Sequence, residues 1–363
     1  MKRGKYRPQY GYLGIWDPAG GETRGGSGLP VEEGVEEVRA LTRLLRGGGS
    51  NEILREELEG AVQDPELLVW VDVLRPREGA AVLLRDSLKL GPLTVEDCME
   101  PLRMPKTDIL PGEKPGEVGG AFAAAFAATL EDEAGGPRLR ASEVDLVAGS
   151  RYLVTVRDGP ADEVERRIEA LMRSSEPGVS GATLVHAAFD ALVDGHPPVM
   201  VRTSTLAEEL EEELDPRNER GSISAVEALI TLQRDLLAFR RLAVAQSEVL
   251  RRISRVFPEV REYLSDVADN QREAMDMADA TSDYIKGAVE AYRVRRDERS
   301  EAGIRRLTIL AGIIGPLTLL NGIYATNFAT PGTQAPWGFW AFAGIQVAFL
   351  ILAVLLLRRR GLL

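Results

Sequence analysis

The sequence predicts an α/β domain, then a run of long helices, then two membrane-spanning helices at the C-terminal end. Three observations carry that reading. From Leu307 to Leu357 there are 51 consecutive residues without Asp, Glu, Lys or Arg. Strand-like apolar runs alternate with amphipathic segments from Leu67 to about residue 195, the pattern of a sheet covered by helices. Between Pro258 and Pro316 no proline interrupts a helical pattern.

The uncharged stretch decides the class. A bilayer core takes roughly 20 apolar residues per helix, so a run of 51 fits two crossings and a turn. The turn is Ala329 to Pro336, with two prolines, a glycine and polar residues. Arg305 and Arg306 precede the first span, and Arg358, Arg359 and Arg360 follow the second. That excess of Arg predicts a multi-pass protein of the cell (inner) membrane with its N- and C-termini in the cytoplasm. Met1 to Gly49 has no apolar core of a signal peptide.

The expected organisation follows the chain. Residues 1–49 are Gly-rich and read as flexible, with Val35 to Leu45 a short helix at most. Residues 50–200 form the cytoplasmic α/β domain. Its strands are Leu67 to Val73, Glu143 to Val147 and Tyr152 to Val156, with Ala121 to Leu130 either strand or helix. Helices are expected over Glu78 to Leu88, Leu93 to Met99, Asp162 to Arg173 and Gly181 to Leu192. Residues 201–303 form a helical stalk, including Thr203 to Leu214, whose acidic run reads as a solvated face, and the amphipathic Ser222 to Phe257. The first span is 304–328, the outer loop 329–336, the second span 337–357 and the basic tail 358–363. A continuous helix from Pro258 to Tyr324 would be a rod of roughly 100 Å, which needs partners to be stable.

Composition removes other functions. The chain has 363 residues and a formal charge of −12, against a nucleic-acid partner. A single cysteine, Cys98, and two histidines, His186 and His196, leave no Cys or His metal cluster. Gly47-Gly48-Gly49-Ser50 lacks the Lys and the preceding strand of a phosphate loop, and no nucleophile–base motif is present. An enzyme is not expected.

One face of the first span stands out. Glu301, Ile304, Leu307, Ala311, Gly315, Thr318, Gly322 and Thr326 recur at steps of three or four and share a helix face that is mostly small or polar. Two readings stand. Small residues let membrane helices pack closely, or they line a narrow axial pore with Ile304 and Leu307 as an apolar constriction. The second requires a ring of subunits, because two spans cannot enclose a pore.

Further motifs resemble a known family. Tyr324-Ala325-Thr326-Asn327 after Pro316-Leu317-Thr318 looks like the CorA family of divalent metal cation (Mg2+) transport proteins, whose signature at this place is Gly-Met-Asn after Tyr. Gly91-Pro92-Leu93-Thr94-Val95-Glu96-Asp97, Arg103-Met104-Pro105-Lys106, Tyr152 to Val156 and Asp190-Ala191-Leu192-Val193-Asp194 resemble the family's segments in the same order. The resemblance implies a homopentamer in the lipid bilayer: a cytoplasmic α/β funnel, a long stalk helix that becomes the pore-lining span, and an outer second span. It implies Mg2+ as both cargo and regulator, with Co2+ or Ni2+ as further cargo. Ala325, Thr326 and Asn327 would be the selectivity motif, with the Asn327 amide hydrogen-bonding the water shell of Mg2+. Asp97 and Asp266, with Asp269 one turn on, match the positions where the family binds a regulatory cation between neighbouring subunits. Ala325 and Thr326 depart from Gly and Met, the outer loop has no acid, and Glu301 stands where relatives often have Asn. A ZntB-like Zn2+ transporter, or a non-transporting membrane-anchored sensor or scaffold, therefore remains as the alternative.

Overall fold

The computed structural model describes residues 37–359 apart from 46–49, 75, 102–103, 113–117, 134–135, 158, 160, 216–217 and 326–336. The chain forms two compact units, Met1–Val289 and Glu290–Leu363.

The first unit is built on a seven-stranded sheet. Its strands are β1 (Glu37–Leu44), β2 (Ser50–Glu52), β3 (Leu67–Leu74), β4 (Lys106–Pro111), β5 (Val118–Glu133), β6 (Gly136–Gly149) and β7 (Tyr152–Arg157), in the order β2-β1-β3-β7-β6-β5-β4. Among the described residues only β3 and β7 pair in parallel. Residues alternate between two cores, because both faces of the sheet are covered. Ala121, Ala123 and Ala125 of β5 enter one core with Trp70, Ile168 and Phe189. Phe122 and Ala124 enter the other with Val69, Val71 and Leu84. This strict alternation makes the alanine-rich segment a strand.

Residues 37–44 correct the expected short helix. Val38, Leu41 and Leu45 mimic helical spacing, yet the segment pairs with β3 along its whole length, from Glu37 opposite Leu74 to Leu44 opposite Leu67. Burial on both faces overrides the local pattern. Leu41 enters one core and Ala40 the other, and the two arginines of the strand find partners. Arg39 pairs with Glu165 and Glu169 at 3.2 and 2.9 Å. Arg43, buried to 3% exposure, donates to the carbonyls of Leu171 and Glu176 and to Ser174 Oγ.

On one face lie the short helices α1 (Leu58–Gln63), α2 (Glu78–Val82), which continues as a wider turn over Leu83–Ser87, and α3 (Pro92–Met99). Pro92 opens α3, where its missing N–H removes no helical bond. On the other face lie α4 (Asp162–Arg173), α5 (Gly181–Asp194), the C-terminal part of α7 (Glu219–Val256) and the start of α8 (Arg261–Ala325), while α6 (His196–Glu212) packs on α5, α7 and β5. Ser180 and Thr183 form a capping box at the start of α5. A Cβ on Gly181 would lie 1.9 Å from the Gly149 carbonyl oxygen, so only glycine lets α5 approach the β6–β7 turn.

The expected boundary at residue 200 falls inside α6. Val249, Leu250, Ile253, Leu264 and Val267 share the sheet's core, so these stalk helices and the sheet form one unit. A buried polar node ties them further. His196 on α6 places Nδ1 3.1 Å from Gln271 Oε1 on α8 and Nε2 3.3 Å from the Phe126 carbonyl on β5. Gln246 on α7 accepts from the Phe126 amide at 2.8 Å and donates to Gln271 Oε1 at 3.3 Å. Complete burial pushes His196 down to about 4.

The second unit holds the rest of α8 and α9 (Gly338–Arg359). Both helices carry stretches long and apolar enough to cross a membrane.

Candidate ion pathway and regulatory carboxylates

Within the second unit, α8 has two distinct faces. Ile309, Ile313, Leu317 and Leu320 are half-buried, as are Leu357, Ala353, Phe349 and Gln346 of α9. Both sets step by four, four and three residues, in opposite chain directions. This is the seam of an antiparallel hairpin. At 3.6 residues per turn the predicted pore face lies roughly 180° around α8 from that seam. Glu301, Ile304, Leu307, Ala311, Gly315, Thr318 and Gly322 are all exposed in the single chain, Ile304 at 62% and Leu307 at 70%. The hairpin's own packing leaves this face bare. Thr318 donates its hydroxyl to the Ile314 carbonyl at 2.9 Å, which leaves the oxygen lone pairs free to accept from a hydrated ion. Among the described residues no ion pair joins Glu301 to Arg305. Ala325 ends α8. Thr326, Asn327 and the loop Ala329 to Pro336 lie outside the described residues.

The candidate regulatory aspartates lie in the first unit, on opposite faces of the sheet. Asp97 sits on α3, whose Cys98 enters one core. Asp266 sits on α8, whose Leu264 and Val267 enter the other. The sheet therefore separates them within one chain.

Each has neighbours that sequence reasoning missed. Lys106 Nζ of β4 lies 2.7 Å from Asp97 Oδ2 and 3.6 Å from Asp108. Burial opposes the Lys106 charge, but the Asp97 hydrogen bond and charge outweigh it and hold the ammonium above its usual range. Asp145 of β6 is held well above the carboxylate range by burial, then by Glu143, then by Asp97. Around Asp266, the α5 residues His186 and Asp190 feel its charge. Arg167 of α4 pairs with Asp190 and with Asp194, the latter at 2.8 Å, and Asn270 donates to Asp194 at 3.1 Å. Asp269 is 61% exposed and pairs with Arg272. The one available signal for these neighbours was the Asp190/Asp194 spacing, which places both carboxylates on one helix face. Among the described residues no three or more His, Cys, Asp or Glu are grouped to hold a metal ion.

Comparison with known proteins names the assembly of parts. The family described as CorA-like Mg2+ transporter protein matches residues 66–359. The chain belongs to that family. Relatives of this CorA-like chain include the putative metal ion transporter YfjQ of Bacillus subtilis (strain 168), 26% identical over 80% of this chain and 88% of that one. The cobalt/magnesium transport protein CorA of Thermotoga maritima is 26% identical over 49% of this chain and 51% of its own. The complete structure of the CorA magnesium transporter from Methanocaldococcus jannaschii superposes with a TM-score of 0.70 at 16% identity, covering 89% of this chain and 98% of that one. The fold is thus that of a CorA protein, with the α/β sheet domain, the long helix and the two apolar C-terminal helices.

Proposed function

We propose that this chain assembles as a homopentamer in the cell membrane and conducts Mg2+, with Co2+ and Ni2+ as further cargo. The observation that carries the reading is the bare face of α8, small or polar over most of its length and turned away from the hairpin's own seam. Five such faces around an axis would enclose a narrow path, with Ile304 and Leu307 rings as an apolar gate and a Glu301 ring drawing cations at the cytoplasmic end. At the outer mouth the Asn327 amides would hydrogen-bond the water shell of Mg2+, a cation that dehydrates reluctantly. Thr326 adds a hydroxyl ring beside them, and Ala325 narrows the backbone freedom of the turn. Both termini face the cytoplasm in this reading.

Asp97 and Asp266 would bridge a regulatory cation between neighbouring subunits. Their places on opposite faces of one chain's sheet support bridging between chains over bridging within one. A cation at tenfold excess over its Kd stabilises the closed ring by about 1.4 kcal/mol per site. Five sites acting on one gate reach about 7 kcal/mol, enough to hold it shut.

The test is uptake into liposomes containing the full chain, with Mg2+ and Zn2+ compared in the presence and absence of a proton gradient. Saturable Mg2+ influx independent of the gradient is expected. Proton-driven Zn2+ influx would establish the ZntB-like reading instead, and no influx of either ion would leave a sensor or scaffold.

A further inference from the structure

The second span is apolar except at one position. From Gly338 to Leu357, Trp340 aside, Gln346 is the only side chain of α9 with polar atoms. Its Nε2 donates to Asn321 Oδ1 of α8 at 2.6 Å. Two other polar side chains of the first span bond within the helix, Thr308 on the Ile304 carbonyl and Thr318 on that of Ile314. The amide pair joins the two spans by a side-chain hydrogen bond.

Position gives the pair its effect. Gln346 lies in the seam at the level of Leu320, and Asn321 is the next residue of α8, about a quarter-turn from the seam toward the bare face. The remaining seam residues are Ile, Leu, Phe and Ala, which pack almost as well one turn along. An apolar seam does not choose its own register, whereas one polar contact in it does. In hydrocarbon the alternative registers leave both amides unpaired, which disfavours them by about threefold to tenfold.

We propose that Asn321 and Gln346 lock the register and rotation of the hairpin, and so position the ion mouth. Asn327 follows Asn321 by six residues, so a one-turn slip of α8 on α9 would move the mouth by about 5 Å. Both are positioning residues. Their action on conduction rests on the pore reading above, but the lock itself does not.

The test uses the full chain in liposomes with Cys98, the only cysteine, replaced by Ala. Oxidative cross-linking compares Ile313→Cys/Ala353→Cys, which is in register, with Leu317→Cys/Ala353→Cys, one turn off. The in-register pair is expected to cross-link better, by about threefold to tenfold, the usual range for one interhelical hydrogen bond in a membrane. Gln346→Leu should bring that ratio toward one, and the exchange Asn321→Gln/Gln346→Asn should restore it. If the single variant fails to insert, Asn321→Leu/Gln346→Leu gives the same readout without an orphaned amide. An unchanged ratio in either variant overturns the lock. In the native-cysteine background Gln346→Leu should lower Mg2+ influx by a similar factor at unchanged oligomer yield, with recovery in the exchange variant. Loss of register with wild-type influx overturns the positioning role. A wild type without Mg2+ influx would count against the transport reading alone, since the cross-linking ratio decides the lock by itself.

Discussion

Asn327 supplies the only amide of the Ala325-Thr326-Asn327 segment, and Asn327→Ala is expected to abolish Mg2+ influx while the oligomer survives. Wild-type influx in that variant would remove Asn327 from selectivity. Lys106 offers a second test. Its ammonium already neutralises Asp97 at 2.7 Å, so it competes with any cation the carboxylate binds. Lys106→Gln should lower the Mg2+ concentration that half-protects the stalk from protease by about threefold to tenfold, a modest factor because the pair is partly open to solvent. No change would mean that Asp97 does not ligate the regulatory ion. His196 makes a prediction about pH. Burial holds it down to about 4, below its unfolded value near 6.5. The unfolded chain then takes the proton first, so this stabilisation is complete above about pH 6.5 and is lost as pH falls toward 4. The loss amounts to about 3 kcal/mol, and denaturant titrations at pH 7 and 4.5 should lose most of that difference in His196→Gln.

Among the elements, β1 separates what sequence could reveal from what it could not. Leu67 to Leu74, Tyr152 to Arg157 and Asp162 to Arg173 have local patterns that agree with their final states, and all three are legible. Residues 37–44 are not, because their strand state comes from pairing with β3, a partner about 30 residues away. The same reason hides Lys106 and Asp145 beside Asp97, since β4 and β6 meet α3 only through the sheet. The bare face of α8 was readable because helical periodicity is local. The seam partner on α9 was not, because register between helices leaves no trace in either one alone. Arg43 tests the account of β1. Removing its guanidinium by Arg43→Ala takes the buried donor away from the part-buried carbonyls of Leu171 and Glu176 and from Ser174 Oγ, and should destabilise the first unit by about 1–3 kcal/mol in thermal or urea unfolding. A loss within 0.5 kcal/mol, the range of ordinary surface changes, would show that the network is dispensable.

For the whole molecule, the ring makes two claims that a single chain cannot satisfy. The first is regulatory. Asp97→Asn/Asp266→Asn should lose Mg2+-dependent protection of the stalk and should conduct at Mg2+ levels that shut the wild type; unchanged protection would place the regulatory site elsewhere. The second claim is central, that the face of α8 opposite the seam surrounds the ion path. Its most direct test is cysteine accessibility in liposomes, with a thiol reagent added to Cys98→Ala chains carrying one cysteine at each position from residue 308 to 322. Block of Mg2+ influx is expected at Ala311→Cys, Gly315→Cys, Thr318→Cys and Gly322→Cys, with the intervening Leu310→Cys, Ile314→Cys and Leu319→Cys unaffected. Block at those intervening positions, or block without a three-to-four-residue period, would contradict the pore.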